Sequence, residues 1–225
     1  MRHNRLLRML PMLMGGGAAA PWYLSGGIPS ANCIAAYLAT GVANIGASYA
    51  NLANVGTYTL TNPGAAAVTW DATNGWKGVV NAYLDTGINA TAIAGTWTIL
   101  VRYTAAENAT QFLFGSQEGS KFWFANPRYS GDAVIRYGLV GSTENVAPSL
   151  EAGIIGLAGN QPYRNGAADG AAISVTPATL TKVYITNTYG GITAPHAGYI
   201  QAAVIYDIAL TAPQVAAVTA AMALL

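Results

Sequence analysis

The chain has 225 residues, of which 52% are hydrophobic and only 8% charged, against about 25% charged in an ordinary soluble domain. Such apolar content with a net charge of +1 excludes a disordered chain, and the length supports one sizeable β domain with its own core. From Pro21 onward seven Lys/Arg stand against nine Asp/Glu, so this body carries no basic stripe and nucleic acid is excluded as a partner.

Residues 1–20 read as a segment apart from the body. Arg2, Arg5 and Arg8 make a basic start, Leu6 and Leu7 open a short apolar run, and a small-residue tail precedes Pro21. Two readings stand: a secretory leader, or a retained assembly arm that packs on a neighbouring subunit. The apolar run contains Pro11 and falls short of the ~20 residues that span a bilayer, so no membrane span is predicted.

Residues 21–225 form one predicted domain, because no linker or composition break divides them. Pro21–Asn32 is a Gly/Pro/Ser-rich entry, and Cys33–Tyr37 the first predicted strand. Cys33 is alone. It excludes an intrachain disulfide and a Cys-rich zinc pattern, and reads as a small buried hydrophobe. A loop leads to a short predicted strand at Thr57–Thr61, followed by the Asn62-Pro63-Gly64 turn. Val68–Trp70 and Trp76–Val80 flank Asn74-Gly75 as a hairpin, and Ala82–Ile88 follows as a strand.

Gly95–Thr104 has the clearest alternation. Trp97, Ile99, Val101 and Tyr103 share one face; Thr96, Thr98, Arg102 and Thr104 lie mainly on the other. Gln111–Gly115, Lys121–Ala125, Ala133–Val140, Ala152–Ala158 and Gln161–Arg164 are further predicted strands, the last meeting the tight-turn pair Asn165-Gly166. Lys182–Asn187 precedes a final strand in which Ile200, Ala202, Val204 and Tyr206 alternate on one side. Ala203 and Ile205 make the other side apolar too, so both faces are expected to be covered. Thr211 and Gln214 have capping-box spacing, with Pro213 in the first turn. Val215, Val218 and Met222 give the closing helix an apolar stripe. The predicted fold is all-β: an antiparallel sandwich or jelly roll with a short C-terminal helix.

The closing stretch Gly198, Ile200, Val204, Tyr206, Asp207, Ala209, Leu210, Thr211 and Val215 resembles the signature of concanavalin A-like (laminin-G-like) lectin/glucanase jelly rolls. Tyr163–Gly166 is similar to that family's strand with an Asn-Gly turn, and Tyr83–Ile88 to its early strand. Cys33–Asn54, with Trp70-Asp71, resembles the variant found in structural proteins of tailed phages and prophages. The resemblance covers about residues 30–222 and implies the same jelly roll.

That superfamily includes glycanases, which set two carboxylates across the scissile bond ~5–9.5 Å apart. They draw them from closely spaced acids on one strand. Here Asp71, Asp85, Glu107, Glu118, Asp132, Glu144, Glu151, Asp169 and Asp207 are never within four residues of one another, so the motif is absent and no catalytic residue is assigned. His3 lies in the N-terminal segment, and His196 reads as a loop histidine without a nucleophile elbow. Asp207 reads as a turn or cap acceptor. Calcium occurs in lectin relatives, but no dense oxygen-ligand cluster is visible, so no metal or other cofactor is expected.

Glycan recognition needs aromatic faces for sugar C–H surfaces and polar groups for hydroxyls. KFWFANPRYSGD supplies Trp123, Asn126, Arg128, Tyr129 and Asp132. WDATNGW supplies Asp71, Asn74 and Trp76. The competing reading makes Trp123 and Trp76 core residues.

Two functions follow as expectations. One is a non-enzymatic structural component of a phage-like virion (head decoration, fibre or tail). It would sit on the virion surface among copies of itself and neighbouring virion proteins, in reach of cell-surface glycans. Low charge motivates it, since a charge-poor surface suits a durable assembly. The other is a secreted carbohydrate-binding lectin domain. A glycoside hydrolase ranks third.

Overall fold

The computed structural model describes residues 20–89, 96–107, 112–118, 121–129, 134–174, 180, 182–187 and 198–225. The arm residues Arg2, Arg5, Leu6, Leu7 and Arg8 lie outside the described residues, as do His3, His196 and Asp132. In chain order the elements are β1 (Cys33–Leu38), α1 (Ile45–Ser48), β2 (Thr69–Asp71), β3 (Gly75–Lys77), β4 (Leu84–Asp85), β5 (Thr98–Thr104), β6 (Phe114–Glu118) and β7 (Lys121–Tyr129). There follow β8 (Val134–Leu139), β9 (Ser142–Val146), β10 (Gly153–Ala158), β11 (Gln161–Arg164), β12 (Ala167–Ala168), β13 (Tyr184–Ile185), β14 (Tyr199–Tyr206) and α2 (Ala212–Ala223).

These strands make a two-sheet antiparallel sandwich, as expected. Among the described residues the larger sheet has eight strands in the order β12-β11-β10-β5-β14-β3-β2, with β1 also pairing along β14. The smaller has six among the described residues, in the order β4-β13-β6-β7-β8-β9. Period-2 alternation explains how β5 serves two cores. Ile99, Val101 and Tyr103 pack between the sheets, while Leu100 faces a second apolar layer beneath α2.

The terminal strand β14 is covered on both faces, with one correction to its pattern. A register shift between Ile200 and Ala202 leaves Gln201 as an extra residue. That bulge moves Ile200 to the side of Ala203 and Ile205, between the sheets. Ala202, Val204 and Tyr206 face α2. The helix starts where the capping signal placed it. Gln214 Oε1 accepts from the Thr211 N–H at 3.0 Å, and Val215, Val218 and Met222 are fully buried. Each such side chain contributes up to roughly 1.5–3 kcal/mol by leaving water.

Four predicted strands shrink, and of Trp76–Val80 only Trp76 and Lys77 are strand, in β3. Thr57–Thr61 forms none: only Thr61 bridges to Asp85, and Tyr58 has φ +54°, which no strand accommodates. Ala82–Ile88 reduces to β4, and Lys182–Asn187 to β13. The strand expected at Gln111–Gly115 runs instead as β6, and that expected at Lys121–Ala125 continues to Tyr129. The Asn165-Gly166 turn forms with φ +49° and +87°. Beside it a buried network ties the sheets together. Arg164 Nη2 lies 2.6 Å from Asp169 Oδ1, and the Tyr137 hydroxyl of the smaller sheet donates to Asp169 Oδ2 at 2.8 Å.

Candidate functional site

Cross-strand register decides which side chains of the smaller sheet meet solvent, because directly opposed residues point to the same face. One row runs Leu84, Ile185, Phe114, Ala125, Tyr137, and all five belong to the core between the sheets. The adjacent row therefore faces outward. It runs Asp85, Tyr184, Gly115, Phe124, Gly138, Thr143.

This outward face is rich in aromatic rings. Phe124 is flanked by Phe112 at 4.9 Å and Phe122 at 5.2 Å between centroids. It lies across Gly138, where any Cβ would collide with the ring. Toward one edge Tyr83 and Tyr184 meet edge to face at 5.1 Å. Lys182 Nζ lies 3.2 Å from Asp85 Oδ2 there, and this bond to Asp85 holds the ammonium above its ordinary range. Toward the other end the Arg136 guanidinium sits 4.5 Å over the Tyr129 ring. Phe112, Phe122, Tyr83, Tyr184, Tyr129 and Arg136 are half-buried, so each keeps part of its surface in water. Flat apolar rings set among hydroxyl, carboxylate, ammonium and guanidinium groups can hold the mixed surface of a sugar chain.

The predicted site residues distribute unevenly over this geometry. Trp123 points inward and is fully buried, edge to face with Phe114 at 5.5 Å. It offers no ring to a ligand, which corrects that expectation. Period 2 makes its neighbours Phe122 and Phe124 the outward residues instead. Asn126 is also fully buried. Its Oδ1 accepts from the Arg128 N–H at 3.0 Å and closes the β7 bulge between Asn126 and Tyr129, so it shapes the strand. Arg128 is committed elsewhere: Nη1 donates to the Ala106 carbonyl at 3.0 Å and lies 3.1 Å from Glu151 Oε1. Register puts Asn126 opposite Arg136 on the outward side, but it is covered there, so of the described members of this group only Tyr129 offers surface on the outward face.

The second predicted cluster sits in the other sheet, so the structure does not bring the two together. Asp71 Oδ1 accepts from the Thr73 N–H (2.9 Å), the Asn74 N–H (2.8 Å) and Asn74 Nδ2 (2.9 Å). That closes the exposed β2–β3 turn. Trp76 is fully buried and donates through Nε1 to Ser48 Oγ at 2.8 Å, so it is a core residue, correcting its assignment. Asp207 caps no helix. It accepts from Asn32 Nδ2 at 3.1 Å, bridging β14 to the chain entering β1. Cys33 is buried as read, and desolvation first, then the nearby Asp207 charge, pushes its thiol up to about 12. Among the described residues no three metal-ligating side chains cluster, and no helix is long and apolar enough to cross a membrane.

Neither a family model nor a curated protein matches the chain; the likeness is to solved structures. Domain 4 of AbnA, a GH43 extracellular arabinanase from Geobacillus stearothermophilus solved with arabinotriose, superposes with TM-score 0.63 at 12% identity over 84% of this chain and 98% of that domain. The receptor-binding domain of botulinum neurotoxin D gives 0.61 at 11% identity, over 86% of this chain and 53% of that one. Trypanosoma rangeli sialidase, in complex with 2,3-difluoro-KDN, gives 0.59 at 14% over 87% of this chain but 33% of the enzyme. At such identities the likeness establishes a shared β-sandwich.

Proposed function

We propose that this protein is a non-enzymatic carbohydrate-binding module that grips extended glycans on the outward face of its smaller sheet. The observation that carries the reading is the register row through Tyr184, Gly115, Phe124 and Gly138, which gathers aromatic rings and an ion pair on one face. Support comes from the sandwich with TM-score 0.63, a domain that was solved holding arabinotriose. Among the acids, Asp85, Glu151 and Asp169 are each tied to a cation, and Asp71 to a turn, which favours binding over hydrolysis. Glycan-array screening followed by titration calorimetry tests this. Phe122→Ala and Tyr184→Ala should each weaken binding about tenfold or more, equivalent to about 1.4 kcal/mol, with circular dichroism unchanged. Wild-type affinity in both would overturn the site, and release of reducing ends from a bound polysaccharide would overturn the non-enzymatic assignment.

The setting we favour is the surface of a phage-like particle, with a secreted lectin as the alternative. The 8% charge content supports the particle, because a charge-poor surface is best tolerated where neighbours cover it. Sedimentation at rising concentration separates the two: a persistent monomer favours the secreted lectin.

A further inference from the structure

A cleft of about 440 Å³ opens at one end of the sandwich, where β1 begins and β14 ends. It shares no lining residue with the outward face of the smaller sheet. Trp97, Tyr58, Asp207, Asn54, Asn89 and Thr57 supply its chemistry. Strand register brings two of them together from distant parts of the chain: Tyr206 pairs with Thr98, which places Asp207 beside Trp97. The volume falls within the roughly 300–1,000 Å³ of small-molecule sites.

The part of the lining that comes from Asn54, Thr57 and Tyr58 is held by buried amide chemistry. Asn51 is 1% exposed. Its Oδ1 accepts from the Ala36, Ala53 and Asn54 N–H groups, and its Nδ2 donates to the Ile34 and Thr57 carbonyls. Asn54 Nδ2 donates to the Cys33 and Ile34 carbonyls at 3.0 and 2.9 Å, leaving its side-chain oxygen as the acceptor it brings to the cleft. The Tyr37 hydroxyl donates to the Tyr58 carbonyl at 2.7 Å. That anchorage holds Tyr58 at φ +54°, a backbone region bulky residues occupy only when their surroundings impose it. The result is a tyrosine, 40% exposed as a residue, lining the cleft.

We propose that this cleft is a second saccharide site, independent of the sheet face, that takes one neutral sugar unit. Two aromatic rings, two amides and a hydroxyl match a sugar's alternation of C–H faces and hydroxyls. Among the described residues lining the cleft, Asp207 alone is charged, and no cationic side chain lines it with Asp207. An anionic sugar would meet a carboxylate with nothing to neutralise it, so sialic and uronic acids are selected against.

The test is a titration in which amide resonances of Asn54, Tyr58, Asn89 and Trp97 are followed by NMR. The probes are glucose, galactose, arabinose and N-acetylglucosamine, with N-acetylneuraminic acid as the anionic control. At least one neutral sugar should shift these resonances saturably, in the wild type and in Phe122→Ala alike. Tyr58→Gly removes the ring yet suits the positive φ and keeps the backbone carbonyl that Tyr37 needs, so it should fold normally and bind at least tenfold more weakly. Asp207→Asn should narrow the gap between neutral and anionic sugars. Unshifted resonances with every neutral sugar, wild-type binding in Tyr58→Gly, or tighter binding of N-acetylneuraminic acid would each overturn the proposal. Loss of cleft binding in Phe122→Ala would overturn its independence, whereas loss of polysaccharide binding in that variant alone bears on the sheet face.

Discussion

Asp169 shows how much a single buried group holds in this molecule. Its side chain is 4% exposed, and it receives both the Arg164 guanidinium and the Tyr137 hydroxyl, joining the two sheets at one point. Asp169→Asn would leave the Arg164 charge without its counter-ion. Breaking a buried pair from one side costs about 3–5 kcal/mol. Arg164 is 24% exposed and keeps its bond to the Pro148 carbonyl, so a loss of about 2–3 kcal/mol is expected from urea unfolding. Gly138 acts differently. A methyl there would lift Phe124 off the sheet, so Gly138→Ala should cost about 1–3 kcal/mol by overpacking and disorganise the aromatic face as well. Calorimetry with a bound glycan should record weaker binding alongside a lower unfolding temperature. Neither role is marked in the sequence, where Asp169 and Gly138 look like ordinary turn and strand residues.

Elements were legible where their pattern was strong and local. The β5 alternation, the Asn165-Gly166 turn and the Thr211–Gln214 cap each follow from neighbouring residues, and each forms as read. The bulge at Gln201 was not legible, because it depends on how β14 meets β5, and one inserted residue reverses the facing of Ile200. β9 escaped for another reason: Ser142–Val146 is an edge strand of half-exposed and exposed residues, with no apolar alternation to betray it. The same limit applied to the candidate site. Trp123 drew the assignment as the largest ring in its stretch, but a period of two sends it inward and Phe122 and Phe124 outward, and only pairing with β6 and β8 tells the faces apart. For α2 the expected consequence is mechanical. Met222→Ala removes a fully buried side chain from the layer beneath the helix and should cost about 2–5 kcal/mol. Deleting residues 212–225 would bare Ala202, Val204 and Tyr206, and should appear as dye binding and aggregation of a chain that keeps its strand signal in circular dichroism.

At the scale of the whole molecule, the two cores also set an alkaline limit. Tyr37, Tyr103, Tyr137 and Tyr206 are buried, and desolvation leads the causes holding each hydroxyl above its ordinary 10.0. The Cys33 thiol rises from 9.0 to about 12 for the same leading reason. The unfolded chain releases these protons near their ordinary values while the folded chain retains them. The folded state then binds more protons, and stability falls as pH climbs past about 9. Phenolate absorbance of these tyrosines should therefore rise together with loss of the circular-dichroism signal; ionisation well before unfolding would contradict their burial. The second core has a further consequence, through what it is made of. Trp22–Leu24 and α2 pack against each other on the outer side of the larger sheet, so these two segments share one flank while the aromatic face looks the opposite way. Whatever is fused at Leu225, or coupled to a sensor chip there, becomes a handle behind the molecule and leaves the aromatic face turned toward solution.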